Sequence, residues 1–167
     1  MSENVDPVKQ NIIDWCNEDG IQVLDQSDAN PQFAWSVLLT KKVMVYKQPN
    51  LLDRIYVQSQ IDVSPKHQTL IRNNQQIRNN LLLQLPAMAS QNDINLTFRI
   101  NNDVIEGISL FKINFHSTIS KADFLRLFLR VEQIHSSVLN QLRTTLGLDL
   151  QQEQQRQQVG SENPLSS

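Results

Sequence analysis

Apolar positions recur at helical spacing near the start of the chain, at every second residue through its middle, and again at helical spacing towards its end. Val8, Ile12, Trp15 and Cys16 stand at i, i+4, i+7 and i+8, one stripe of a first helix. Asp6 is a strong N-cap and Pro7 is at ease at the first helical position, while Gly20 supplies a left-handed stop. From Phe33 the period becomes two. Phe33, Trp35, Val37 and Leu39 alternate with Ala34, Ser36, Leu38 and Thr40, and Val43 and Val45 with Met44 and Tyr46. Lys41-Lys42 interrupts this run without a glycine, which leaves a tight hairpin and a bulged continuous strand both open. Arg54 to Val63 is the clearest strand, with Ile55, Val57, Ile61 and Val63 on one face and Tyr56, Gln58, Gln60 and Asp62 on the other.

Ser64-Pro65 repeats the cap-plus-proline signal and predicts a second helix with spine Leu70, Ile77, Leu81 and Leu85, ended by Pro86. Leu96, Phe98 and Ile100 then alternate with polar residues, Asn101-Asn102-Asp103 makes a turn, and Ile105 to Phe115 forms a further strand. That strand is apolar on both faces over Ile108 to Phe111, so it is either central or covered by something outside the monomer. Ser120 caps the last helix with Asp123 three residues on, and Ile119 and Phe124 are placed for a hydrophobic staple. Leu127, Val131, Ile134, Val138, Leu142 and Leu146 form its apolar face, with Leu125, Phe128 and Leu129 widening it before the stop at Gly147. The predicted order is α-β-β-β-α-β-β-α, an α+β fold with helices packed on a twisted antiparallel sheet. Residues 1–149 read as one domain and 150–167 as a disordered Gln-rich tail, too poor in apolar groups to offset its ordering entropy.

A net charge of -2 over 167 residues gives no field for gathering phosphate backbones or anionic lipid. Cys16, the single cysteine, excludes an internal disulfide, and no apolar run approaches the ~20 residues that span a bilayer, so a cytoplasmic protein is expected. Abundant Asn and Gln point to a mesophilic source.

Little in the chain suggests catalysis. His67, His116 and His135 have no metal-ligand spacing, Cys16 lies in an apolar stripe, and the isolated glycines build no phosphate loop. No cofactor and no enzymatic activity are expected. Lys41, Lys42, Tyr46, Lys47, Arg54 and Tyr56 mix basic and aromatic groups as RNA-binding surfaces do, although lysines beside a sheet edge more often guard against aggregation. A small enzyme would have to draw on scattered residues such as Asp62, Arg99 and His116, which no motif unites.

Ile13-Asp14-Trp15 before Gly20, Asn30-Pro31 leading to Phe33, Val45 with Gln48-Pro49, and Arg54-Ile55-Tyr56-Val57 form an ordered set of landmarks. Ser64-Pro65-Lys66-His67 and Thr118-Ile119-Ser120-Lys121 with Phe124 and Val131 continue it. With these, the stretch from about Val8 to Leu146 resembles an uncharacterised, mostly archaeal family, domain of unknown function 2299. The fold of that family is similar to that of type III secretion chaperones. The resemblance implies an α+β layer, dimerisation of the chaperone kind and no assigned catalytic residue.

The expected role is therefore a non-catalytic protein-interaction module, chaperone-like and homodimeric, whose partner is another protein or a second copy. Leu38, Met44, Tyr46, Tyr56, Ile108 and Leu110, placed opposite the core stripes, are expected to meet it. Against this stands the plainer possibility that helices of the same chain cover both faces. An RNA-binding domain and a small enzyme with an unrecognised site are the alternatives.

Overall fold

The computed structural model describes residues 6–51, 53–115 and 119–147; the C-terminal tail and His116 lie outside them. Helix α1 (Pro7–Glu18) starts at Asp6, whose carboxylate accepts the Val8 amide at 2.9 Å. It ends in a Schellman arrangement: Gly20 sits at φ 69° while the Ile21 amide donates to the Cys16 carbonyl at 2.8 Å and the Gly20 amide to Asn17 at 3.2 Å. Four strands follow, β1 (Val23–Asp25), β2 (Trp35–Leu39), β3 (Val43–Lys47) and β4 (Arg54–Asp62). Then come α2 (Pro65–Asn73), α3 (Gln75–Gln91), β5 (Asn95–Asn101), β6 (Val104–Phe115) and α4 (Lys121–Thr145).

The strands form one antiparallel sheet in the order β1-β2-β3-β4-β6-β5. The α+β class, the antiparallel sheet and the helical packing match the sequence reading, and the element order departs from it in two places. A sixth strand, β1, pairs with β2 through Val23–Asp25, three residues that are too few to show a period. The middle helix is two helices, because the Asn74 backbone leaves the helical region and its side chain caps a new start by accepting the Ile77 amide at 3.1 Å. The break resets the helical phase, so Leu70 of the expected spine is 40% exposed while Ile71 is buried. Nor does Pro86 end the second helix. Its missing N–H and its ring cost about 3 kcal/mol or more, and α3 continues because Leu81, Leu85 and Ala89 bury one stripe across it.

The core lies between the sheet and the helices, with Ile12 and Cys16 of α1, Ile71 of α2, Leu81, Leu85 and Ala89 of α3 and the α4 stripe in one cluster. Ser59 of β4 meets His135 of α4 at 2.9 Å, which puts α4 on the Ser59 face. The register places Val43, Val45, Val57, Ile61, Ile108 and Leu110 on that same face, all buried. The α4 stripe of Phe124, Leu127, Phe128, Val131, Ile134, Val138 and Leu142 packs onto it, although Leu129 points outward at 57% exposure. Trp15 of α1 meets Phe124 with ring centres 6.0 Å apart.

One ion pair ties α1 to the sheet. Lys47 Nζ lies 2.6 Å from Asp6, with the two side chains 9% and 21% exposed. Burial pushes the Asp6 carboxyl up, but Lys47 and the Val8 amide outweigh it and hold the group below its ordinary 3.8. Its stabilising effect is thus fully present above pH 3.8 and is lost as pH falls through the lower native value. Removing one partner strands a buried charge and here also deletes a cap. Asp6→Ala is expected to cost about 3 kcal/mol or more at neutral pH, and chemical denaturation should show the gap to wild type narrowing in acid.

Cys16 sits fully buried in the α1 stripe, and burial, aided by Asp19, pushes its thiol up to about 11. Native protein should react with a disulfide reagent at pH 8 about a hundredfold or more slower than a free thiol. The rate should rise to the free value on unfolding.

Candidate functional site

The face of the sheet turned away from α4 is built by the alternate residues of the same strands. Leu38 pairs with Met44 across β2 and β3, and Tyr46 with Tyr56 across β3 and β4. Gln58 and Phe111 continue the face onto β6, where Ile113 stands opposite Tyr56. The Tyr46 and Tyr56 rings stack at 5.0 Å with 7° between their planes, and Phe33 caps the stack 4.3 Å from Tyr46. Tyr46 donates its hydroxyl to Gln58 Oε1 at 2.8 Å, and burial, aided by Tyr56, pushes the phenol up to about 12. Leu38, Met44, Tyr56, Phe111 and Ile113 are half-buried, Leu24 is 55% exposed, and none of these six joins the core.

Charge is confined to the ends of this face. Arg54 lies at one end, 5.6 Å from the Phe115 ring centre. At the other, Arg99 meets Asp62 at 2.7 Å and crosses Gly107, whose missing side chain leaves the guanidinium room. Between them the register carries Tyr56, Gln58 and Gln60 beside Ile113, Phe111 and Ser109, with no ionic group.

The structure thus brings Leu38, Met44, Tyr46 and Tyr56 together, with Tyr46 itself buried at 8% exposure, but it corrects the placement of Ile108 and Leu110. Those two are 2% and 0% exposed on the helix-covered face, so no partner reaches them. The apolar residues of β6 change face after Leu110: Ile108 and Leu110 look towards α4, whereas Phe111 and Ile113 look away. Lys112, on the helix side beyond this switch, pairs with Asp93 at 2.6 Å. Phe111 and Ile113 were missed as members of the open face, although the doubly apolar run over Ile108 to Phe111 was the signal of the change.

The mixed basic and aromatic set of the RNA reading is split apart. Lys41 and Lys42 sit at the turn end of β3, while Lys47, buried against Asp6, stands at the other end of the strand, roughly 15 Å away at 3.3 Å per residue. Of the scattered enzyme set, Asp62 and Arg99 form the exposed ion pair named above.

A second feature lies where the β2–β3 hairpin stops short of β4. β3 pairs with β4 no further than Val43 with Ser59, whereas β4 runs on to Asp62 alongside β6. The missing strand leaves a notch of about 410 Å³ lined by Leu38, Lys41, Lys42, Met44, Gln58, Gln60 and His135. The hairpin closes by a Lys42 amide bond to the Leu39 carbonyl at 3.0 Å, with Thr40 at φ 51° and Lys41 at φ 61°. Both values suit the two-residue turn that usually holds Asn-Gly, and neither suits a β-branched threonine. Three contacts hold the strain, that amide bond together with the Thr40 amide to the Gln22 carbonyl at 3.0 Å and its hydroxyl to Glu132 Oε1 at 2.9 Å. At the floor His135 spends Nδ1 on Ser59, and burial with help from Lys42 lowers its pKa, partly opposed by Glu132. The ring is therefore neutral near pH 7.

This arrangement defines an α+β domain in which a single antiparallel sheet carries helices over one face, the other bearing no helix among the described residues. The chain belongs to the family described as Uncharacterized conserved protein (DUF2299), whose model matches residues 8–142. Among solved structures it is similar to an uncharacterized protein from Methanothermobacter thermautotrophicus, at 14% identity and a TM-score of 0.71, covering 83% of this chain and 99% of that one. It is also similar to YbjN from E. coli, titled a putative transcription regulator, at 10% identity and a TM-score of 0.52, covering 81% and 91%. At these identities the likeness concerns the fold. No curated protein matches the chain. Among the described residues no helix is long and apolar enough to cross a membrane.

The strained turn makes its own prediction. Lys41→Gly removes a left-handed penalty of about 1–2 kcal/mol and adds about 0.5–1 kcal/mol of chain entropy, so thermal denaturation should show a small net gain in stability. A loss would mean that the backbone is unstrained there.

Proposed function

We propose that this protein is a non-catalytic interaction module that pairs with a second copy of itself through the open face of its sheet. The observation that carries the reading is the uncharged centre of that face, where the Phe33–Tyr46–Tyr56 stack adjoins Leu38, Met44, Phe111 and Ile113. Aromatic residues and methionine are enriched at interface centres, whereas charges are kept to the rim, as Arg54, Lys41 and Lys42 are here. Covering apolar area gains about 25 cal/mol per Å², which favours association once roughly 1,000 Å² is covered in all.

Burial of the Ser59–His135 pair supports the non-catalytic part, while the second serine–histidine pair, Ser64 with His67, is exposed at the start of α2. Ser59 is 1% exposed and does not line the notch, and the His135 ring bonds that serine at 2.9 Å. A nucleophile needs both access and an oriented base. The resemblance to secretion chaperones fits the same reading, since a chaperone-like role would use such a face for a client as well as for a copy. The buried free thiol of Cys16 is compatible with work in the cytoplasm.

Size-exclusion chromatography with light scattering tests the proposal. At micromolar concentrations the chain should elute at twice its mass of 19.2 kDa. Tyr56→Glu or Met44→Glu should weaken pairing by about 2–4 kcal/mol and give a monomer with an unchanged circular dichroism spectrum. A wild-type chain that stays monomeric at every concentration would remove the reading.

A further inference from the structure

The notch beyond the β2–β3 hairpin has the chemistry of a ligand site, and it shares Leu38, Met44, Lys41 and Lys42 with the face proposed to pair. Lys9, Lys47, Lys112 and Lys121 each hold a carboxylate at 2.6 Å. Lys41 and Lys42, side by side on the notch rim, hold none among the described residues. Two neighbouring ammonium groups with no salt-bridged carboxylate among the described residues, in a chain of net charge -2, raise the local affinity for anions. Glu132 stands behind the turn with one oxygen bound to Thr40, and it offsets one of the two charges. What remains is close to a single positive charge, which suits a monoanion better than a phosphate dianion.

The walls narrow the ligand further. Leu38 and Met44 offer an apolar surface. Gln58 accepts the Tyr46 hydroxyl on Oε1, so its amide nitrogen remains available to donate, and Gln60 adds a second amide. His135, 9% exposed, also lines the notch, with Nδ1 bonded to Ser59. A cavity of about 410 Å³ is within the range of small-molecule sites. The Thr40–Lys41 turn, held left-handed without glycine, is what sets both lysines over this opening.

We propose that the notch binds a small organic carboxylate, with the acid group between Lys41 and Lys42, donors from Gln58 and Gln60, and an apolar stem laid on Leu38 and Met44. Because Leu38 and Met44 belong to both surfaces, a ligand in the notch and a second copy on the face compete, and titration of the Tyr56→Glu chain alongside the wild type, its notch lining intact, separates failure of the site from cover by a second copy.

Titration of the ¹⁵N-labelled full chain with hexanoate, followed by two-dimensional NMR, tests it. Saturable shifts are expected, concentrated at Leu38, Lys41, Lys42, Met44, Gln58, Gln60 and His135. The double variant Lys41→Gln, Lys42→Gln, confined to an exposed turn, should weaken hexanoate at least tenfold while leaving distant resonances in place. Hexanol, which has the stem without the charge, and inorganic phosphate, which has charge without a stem, should each bind at least tenfold more weakly. Shifts that fail to saturate or scatter over the surface would overturn the proposal. So would an unchanged affinity in the double variant, or hexanol or phosphate binding as well as hexanoate.

Discussion

Everything in this fold depends on a sheet that is covered by a helix layer over one face. Strand alternation forces each of β2, β3, β4 and β6 to point half its side chains away from α4. On the covered face Val43, Val45, Val57, Ile61, Ile108 and Leu110 are buried under the α4 stripe. On the other, a chain with no second layer would ordinarily present polar residues. Here it presents an aromatic stack and aliphatic neighbours, with charges held at the ends.

The two faces also divide the polar groups. Ser59 and His135 satisfy each other inside the covered side, and Asp6 and Lys47 do so at its margin, where the same carboxylate caps α1. These pairings fix the position of α4 and α1 on the sheet because an unmet partner would be costly in a low dielectric. The open side has instead a hydroxyl bond from Tyr46 to Gln58, beside the near-parallel stack of the Tyr46 and Tyr56 rings. Where the hairpin ends early the two sides come closest, and the neutral His135 ring reaches a notch whose other lining residues include Leu38, Met44 and Gln58 of the open face.

Much of this was legible before any coordinates. The inward stripes of β2, β3 and β4 follow from alternation alone, and the caps at Asp6, Ser120 and Gly20 are local signals that the structure repeats. Leu38, Met44, Tyr46 and Tyr56 were correctly set opposite those stripes. Ile108 and Leu110 were misplaced because a run that is apolar at consecutive positions has no phase, and only pairing with Ile61 and Ser59 assigns one. The break at Asn74 was hidden within a continuous helical pattern, and Pro86 was read as a stop because local propensity gave no account of the burial of Ala89. The notch was beyond reach for a different reason. It arises from β4 outlasting β3 and from His135 meeting a strand 76 positions earlier in the chain, and neither leaves a mark in local sequence.

The central claim is that the open face is hidden when the protein is at work. Hydroxyl-radical footprinting across a dilution series addresses it directly, since Met44 and Tyr56 carry reactive side chains at the middle of that face. The account predicts that both are protected in concentrated solution and become labelled on dilution, while buried Phe124 and Phe128 stay unlabelled throughout. Equal labelling of Met44 and Tyr56 at every concentration would contradict it.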